Sequence, residues 1–497
     1  MPASTKVTTS FDRYENPRIA LPLKMVTPFR RGIMTAWMIL ADLISLIFAG
    51  WLSISIRSWL GGSFTNLGAY YALVPLLTIF FIAYSISGLY PGIGVTPIEE
   101  LRRTTRSSSS VVVALSLIAF LTQTGMEYSR LAFVLFWILT LIIVPVNRLI
   151  ARRLGYSLGI WGEPFALIGF GPQGQRILRF LQQNRLYGIK PVVIVNGQDH
   201  SEMDPDKEIG LPEINASILA NDKMFLARSG IRSAILAPTE IPASLRDALV
   251  DEQQFGLKKL ILISSLNWIG GTAVVAHDMG GLLGLEVERN LLDAPQRLFK
   301  RFVDLCITTL GGLVGFPILL LCAVLIHLDS SGPIFYRQER IGKDGKTFRL
   351  WKFRTMVPNA DEILEKYLSK NPELREEWET SHKLKKDPRV TRVGKILRKF
   401  SLDELPQLIN ILAGEMSLVG PRPIVADEVK FYEESFRLYT QVLPGLTGLW
   451  QVSGRSDTSY RYRVSLDEYY IRHWSIWMDI YILIRTVWVV IKRSGAY

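Results

Sequence analysis

A chain of 497 residues is too long for one compact core, so two or three domains are expected. Apolar residues make up 48 % and the mean hydropathy is +0.21, which points to membrane segments, while a net charge of +12 asks for a polyanionic partner: nucleic acid, anionic lipid or a phosphorylated substrate. The two cysteines, Cys306 and Cys322, share one apolar segment, which excludes a disulfide or zinc framework and fits a reducing compartment.

Residues 1–32 read as a cytoplasmic tail without the pattern of a cleaved signal, so the first apolar segment is expected to stay as an anchor. Residues 33–153 hold four apolar stretches, 33–56, 69–90, 109–126 and 131–146, each near the ~20 residues that cross a bilayer as a helix. Cations cluster before the first (Lys24, Arg30, Arg31), between the second and third (Arg102, Arg103, Arg106) and after the fourth (Arg148, Arg152, Arg153). The other two connections carry only Arg57 and Arg130. Four spans with both ends cytoplasmic follow from the positive-inside rule.

Residues 154–290 turn soluble. Short β-rich runs, "FALIG", "PVVIVN", "RSAILAP" and "KKLILISS", alternate with helical stretches, the pattern of parallel βαβ units in a Rossmann-like α/β domain. The first run leads into a G-x-G-x-x-G of Gly169, Gly171 and Gly174, a weak signal alone. A dinucleotide site wants an acid at the end of the second strand, and Asn196 stands there. A structural or regulatory domain is therefore expected, with no cofactor-binding residue assigned, and it is a candidate surface for pairing protomers.

Residues 291–497 form the last domain. Its apolar segment, 304–328, is long enough to span, yet Lys300 and Arg301 precede it and Arg337, Arg340, Lys343, Lys346, Arg349, Lys352 and Arg354 follow. Both flanks carry the cytoplasmic signature. "GGLVGFP" in its centre supplies three glycines and Pro317 to interrupt a helix, so a re-entrant pair entering and leaving by one face is expected, against an ordinary kinked span. Near the end, Trp474, Trp477 and Trp488 lie on an apolar stretch cut by Asp479 and Arg485, which suggests an amphipathic helix in the headgroup region.

Between these, a basic run ends in "SLDELPQLINIL". Ser401 and Glu404 match a capping box, and Leu402, Leu405, Leu408, Ile409 and Leu412 form a helical apolar stripe. Capping alone explains the pattern. The same position suits chemistry: a carboxylate in a first helical turn beside Arg398 and Lys399 should have its pKa held down. Ionised, Asp403 and Glu404 could divide attack on phosphorus and binding of Mg²⁺ between them. "VGPRP" makes a rigid turn presenting Arg422, "LWKFRTM" puts Lys352 and Arg354 on one face of a strand, and "QVSGR" ends in Arg455; each could hold phosphate oxygens or be a solvated charge. The five histidines show no metal spacing and no Walker loop occurs. Carboxylate, magnesium and arginine are the inventory of phosphoryl transfer.

At "KRFVDLCI", "GPIFYRQERIGKDGKTFRLWKFRTM", "SLDELPQLINIL", "SLVGPRP", "PGLTGLWQVSGR" and "IKRSGAY", residues 299–497 resemble the bacterial polyprenyl-phosphate sugar-1-phosphate transferases, the monotopic phosphoglycosyltransferases. The whole chain resembles the long form of that family, and the "RSGAY" ending and "LVGPRPIVADE" favour its galactose-transferring branch. The resemblance implies that Asp403 attacks the sugar-bearing phosphorus of a UDP-sugar and expels UMP, and that undecaprenyl phosphate then takes the phosphosugar from the aspartate. Glu404 is implied as the partner acid on Mg²⁺, Arg398 and Arg422 as phosphate contacts, and the re-entrant helix as what sets the site at the cytoplasmic face of a bacterial inner membrane. Family members often break that helix at Ser-Pro, whereas Phe316 precedes Pro317 here. UDP-galactose is favoured, then UDP-glucose, then N-acetylated sugars. The product would prime a surface polysaccharide such as O-antigen or exopolysaccharide. The expected partners are the two substrates and the bilayer, not nucleic acid. A nucleotide-binding sensor working through the glycine loop, and a catalytically silent scaffold for polysaccharide export, are the rival readings.

Overall fold

A computed structural model describes residues 30–61, 74–122, 129–196, 211–222, 224–237, 241, 257–263, 274–278, 283–287, 291, 294–370, 387–453 and 459–492. The chain forms two compact units, 1–266 and 267–497.

The first unit begins with helices α1 (Arg30–Trp59), α2 (Leu77–Ile86), α3 (Pro97–Leu121) and α4 (Arg130–Ser157). Among the described residues α1, α3 and α4, and a later helix at Pro295–Asp329, are long and apolar enough to cross a membrane; the second expected span shows only a shorter apolar helix, Val74–Ile86, its residues 69–73 lying outside the described residues. α3 starts where Thr96 accepts a hydrogen bond from the Glu99 amide (3.2 Å), with Pro97 in the first turn and Glu99 and Glu100 facing the positive helix end. Phe80, Tyr84, Val111 and Val144 pack inside the bundle. Arg148 and Arg152, read from the sequence as cations flanking the fourth span, are buried. Arg148 donates to Asp42 and to Glu100 (both 2.8 Å), and Arg152 pairs with Glu100 at 2.9 Å. Two carboxylates inside the bundle neutralise two guanidinium groups, and that is why these cations leave the surface.

After Gly162 the chain enters strand β1 (Glu163–Ile168), helix α5 (Pro172–Gln183) and strand β2 (Ile189–Asn196). Strand β3 (Glu213–Asn215), short helices α6 (Ala216–Asn221) and α7 (Phe225–Arg228), and strands β4 (Ser233–Leu236) and β5 (Lys259–Leu262) complete a parallel sheet of order β3-β2-β1-β4-β5. The alternating runs called for a parallel sheet, and one is present. Val193, Val195, Ala234 and Leu236 face one apolar layer, Leu167, Ile194 and Ile235 the other, as strands buried on both faces require.

The second unit opens with an antiparallel hairpin, β6 (Val274–Asp278) and β7 (Leu283–Val287), followed by helix α8 (Ala294–Asp329). α8 runs through Pro317 as one helical element; proline removes one backbone donor there without ending the helix. At its start, Lys300 donates to Asp479 (2.6 Å), Arg301 to the Ile411 carbonyl (2.6 Å), and Asp304 accepts from Ser417 (2.6 Å). At its end, Cys322 and Ile326 pack on Phe353 and Leu397, and Asp329 accepts from the Val393 amide (3.0 Å). Between them the helix is bare, with Val314 82 % exposed.

Hairpin β8 (Phe335–Ile341) and β9 (Thr347–Phe353) follows, then α9 (Ala360–Lys370), α10 (Arg392–Lys399), a 3-10 segment Leu402–Gln407, and α11 (Leu408–Ala413). Parallel strands β10 (Ser417–Val419) and β11 (Gly445–Thr447) flank short helix α12 (Ser435–Tyr439). α13 (Leu449–Ser453), α14 (Tyr460–Arg472) and α15 (Ile476–Lys492) close the unit. α15 shows Ile484, Val487, Trp488 and Ile491 on one exposed apolar stripe, as an amphipathic surface helix would. Trp474 and Asp479 turn inward, however: Asp479 accepts from Lys300, Trp474 (3.0 Å) and Tyr470 (2.7 Å), so its charge is held by the protein and not by water.

Candidate active site

The acidic pair does not start an α-helix. Ser401 has a left-handed backbone (φ 54°) and makes no side-chain cap, and the residues after it wind as a 3-10 segment containing Pro406. The capping-box reading is therefore corrected. A proline at 406 and a left-handed turn at 401 leave too few regular residues to build an α-helical first turn.

Asp403 and Glu404 face the end of β9. Lys352 reaches across and donates to Glu404 at 2.8 Å. The register of that contact is fixed by Asn410, fully buried, which accepts from the Trp351 amide (3.0 Å) and donates to the Arg349 carbonyl (2.8 Å). A single side chain thus staples α11 to the strand beside Lys352. From the other side, α10 brings Arg398, whose Nε donates to Thr355 Oγ1 at 2.9 Å. Gly394 makes this approach possible. A Cβ there would collide with the Thr355 carbonyl, so only glycine lets α10 lie against that backbone.

The electrostatics reverse the expectation for Asp403. Burial first, and the neighbouring Glu404 carboxylate second, push its pKa up to about 6, against the opposing pull of Lys352 and Arg398. Adjacent cations were expected to win; desolvation and a like charge outweigh them. Arg398 itself is lowered by burial, with Asp403 acting in the other direction.

Arg354 and Arg422 have partners elsewhere. Arg354 is buried and donates to the Ser330 carbonyl and hydroxyl (2.6 and 2.8 Å), tying β9 to the end of α8. Arg422 lies over the Trp450 ring (5.7 Å), where Arg463 approaches the same ring at 5.0 Å. Nearby Asp467, raised to about 8 by burial, accepts from Tyr432 (2.8 Å). Arg455 lies outside the described residues. Thr355 and Asn410 escaped sequence reading, although Asn410 left a trace as a polar residue inside an apolar stretch. Of the apolar stripe, Leu402, Leu405 and Leu408 are half-buried and Ile409 and Leu412 are 45 % and 50 % exposed, while Gln407, Asn410 and Ile411 are buried.

Among the described residues, no three His, Cys, Asp or Glu side chains gather to hold a metal. Two adjacent carboxylates nevertheless fit Mg²⁺, which keeps several open positions and is commonly held by one or two carboxylates with substrate phosphates completing its shell.

In the middle domain, Gly169 is left-handed (φ 93°) and Pro172 begins α5 without an N–H to offer a phosphate. Asn196 donates to Glu213 at 3.0 Å, so the position of the missing ribose acid is engaged with β3.

The family of bacterial sugar transferases matches residues 295–493, and a CoA-binding domain family matches residues 85–218. The chain is similar to the undecaprenyl-phosphate galactose phosphotransferase of Salmonella typhimurium, with 36 % identity over 78 % of this chain and 80 % of that protein. It is 36 % identical to the UDP-galactose-lipid carrier transferase of Erwinia amylovora over 75 % of this chain and 77 % of that one. Its similarity to the UDP-glucose:undecaprenyl-phosphate glucose-1-phosphate transferase of Escherichia coli, 38 % identical, covers 44 % of this chain and 46 % of that protein.

Proposed function

Because the chain belongs to the bacterial sugar transferase family, we propose that it moves a sugar-1-phosphate, galactose-1-phosphate first among the candidates, from a UDP-sugar to undecaprenyl phosphate. The observation that carries this is the convergence of Lys352 and Arg398 on Asp403 and Glu404. Galactose is preferred because two galactose-named relatives match about three quarters of this chain, whereas the two glucose-named ones, like a third galactose-named one, match under half.

In this reading an ionised Asp403 oxygen attacks the sugar-bearing phosphorus, and the bond to the bridging oxygen breaks to release UMP. A carboxylate whose pKa is about 6 is about nine-tenths ionised at pH 7, and it is a stronger base than an ordinary aspartate. Arg398, held in orientation by Thr355, and Lys352 receive the phosphate oxygens. Glu404 and Asp403 would hold Mg²⁺, which when bound neutralises charge on the transferring group. An oxygen of undecaprenyl phosphate then attacks the same phosphorus, frees Asp403 and yields the diphosphate-linked sugar.

The placement at a membrane face is supported by α8, and the cytoplasmic side by the cations that flank it, Lys300 and Arg301 before and Arg337, Arg340 and Lys343 after. Both of its ends contact the same unit and its middle is bare, which supports a re-entrant path bent near Pro317 although α8 is one helical element. The test is UMP release by nanodisc-purified protein given Mg²⁺, undecaprenyl phosphate and either UDP-galactose or UDP-glucose, with Asp403→Ala as control. Lipid-dependent UMP from UDP-galactose, lost in the variant, is expected. UMP release that survives Asp403→Ala would overturn the assignment of the nucleophile, and release from UDP-glucose alone would overturn the sugar.

A further inference from the structure

Side chains on β8 alternate between two faces, and residues directly opposite one another in the hairpin share a face. Tyr336 stands opposite Lys352 and Gln338 opposite Leu350. Tyr336, Gln338 and Arg340 therefore form a row on the face of Lys352, the face that meets Glu404. The other face is taken up by ring packing: Phe335 lies against Phe353 and Trp351, and Arg337 stands 3.7 Å over the Trp351 ring. From Tyr336 to Arg340 the row is roughly 13 Å long at the rise of a strand. One end lies beside the acidic pair. At the other, burial first and the charge of Arg422 second lower the Arg340 guanidinium, which brings Arg422 close to the row.

Within this row, Gln338 is fixed at one end of its amide and open at the other. Arg340 donates to its Oε1 at 2.8 Å. Arg340 is itself held, donating to the Pro423 carbonyl (3.2 Å) and lying 3.6 Å from Glu428. A guanidinium has only donors, so the atom facing it is the amide oxygen, and the flip of Gln338 is set. Its Nε2 is then a donor turned away from Arg340. Among the described residues that nitrogen meets no acceptor, and it is open to solvent.

Position decides which part of the substrate it meets. In the proposed reaction Lys352 receives oxygens of the sugar-bearing phosphorus. Gln338 is the diagonal neighbour of Lys352 across the hairpin, roughly 7 Å away between β-carbons. The hexose is bonded directly to that phosphorus, whereas the uridine lies beyond a second phosphate. An oriented donor one diagonal from Lys352 is thus at the depth of the sugar ring and its hydroxyls.

We propose that Gln338 is a substrate-binding residue that donates from Nε2 to a hydroxyl oxygen of the hexose, with Arg340 as the positioning residue that holds the amide in that orientation. This rests on the proposed transfer reaction and names the part of the donor that β8 reads.

The test measures the affinities of UDP-galactose and UDP for the full chain in nanodiscs with Mg²⁺, carrying Asp403→Asn throughout so that no phosphosugar is transferred. Gln338→Glu keeps an oxygen for Arg340 and replaces only the outward donor. Gln338→Met removes donor and acceptor without adding charge. Loss of one neutral hydrogen bond weakens binding about five-fold, so the ratio of UDP-galactose to UDP affinity should fall about five-fold in both variants. The repulsion a glutamate adds toward the diphosphate is common to both ligands and cancels in that ratio. Arg340→Met frees the amide to turn and should lower the same ratio, with Arg340→Lys restoring it. A ratio unchanged in both Gln338 variants, whether neither ligand or both weaken, overturns this inference alone. A chain that binds neither ligand before Gln338 is changed overturns the proposed function, and this inference with it.

Discussion

Asp403→Asn should abolish UMP release and at the same time make the metal-free protein more stable. The wild-type carboxyl rises from 3.8 to about 6 on folding. An acid raised in this way favours the folded state only while protonated, so its cost grows as pH climbs from about 4 to 6 and is complete above that. The gap corresponds to about 3 kcal/mol at pH 8 and to about half of that at pH 5. Asparagine carries no charge and escapes the cost at every pH. Since a 1 kcal/mol gain raises the melting midpoint of a domain this size by roughly 2–4 °C, an increase of several degrees is expected at pH 8.

Thermal unfolding should be followed by intrinsic fluorescence in detergent with a chelator present, because Mg²⁺ would itself favour the ionised aspartate. The decisive quantity is the difference between the gains at pH 8 and pH 5. A gain that is absent at pH 8, or identical at both values, would refute the claim that desolvation and Glu404 dominate over Lys352 and Arg398.

Three further outcomes follow from the same geometry. Glu404→Gln removes the like charge beside Asp403, so Asp403 should ionise at lower pH; chemical-shift titration of the metal-free protein should show its midpoint falling below about 6, and no movement would contradict the second cause assigned to that shift. Lys352→Met breaks a pair whose side chains are 23 % and 36 % exposed, so stability should change by less than about 1 kcal/mol while UMP release falls at least ten-fold; a large loss of stability with normal turnover would make Lys352 structural. Lys300→Met leaves Asp479 buried without its cation and should cost about 3–5 kcal/mol, read as a fall in melting midpoint, whereas a neutral effect would show that Tyr470 and Trp474 suffice.

Much of this was legible in the sequence because the signals were local. Alternating β-rich runs give the parallel sheet, and the apolar lengths of α1, α3 and α4 give the spans. The adjacent acids and Lys352 were also readable as a group. What escaped depended on distant partners. Arg148 and Arg152 read only as flanking cations because Asp42 and Glu100, which bury them, lie about 50 to 100 residues away in sequence. Asp403 was misjudged for a similar reason: spacing reveals neighbouring charges but not how much water the fold removes. The left-handed Ser401 has no signature, since serine rarely adopts that backbone and nothing around it calls for glycine.

The apolar stripe of α11 carries the last step. Ile409 and Leu412 point outward, and so does Ile396 on α10, the helix that presents Arg398. Arg301 binds the Ile411 and Leu412 carbonyls, which brings the end of α11 to the start of α8, where Leu298, Phe299 and Phe302 are also exposed. A water-soluble enzyme would bury these side chains; a surface resting on hydrocarbon has no reason to. The same short segments therefore turn an apolar face outward and a carboxylate pair inward to Lys352. On the proposed reading, this fixes the depth of Asp403 relative to the headgroups, where a lipid-borne phosphate is confined. A soluble nucleotide sugar can come to that depth, but the lipid phosphate cannot leave it. Holding the phosphosugar on Asp403 between the two visits would let one site at one depth serve both.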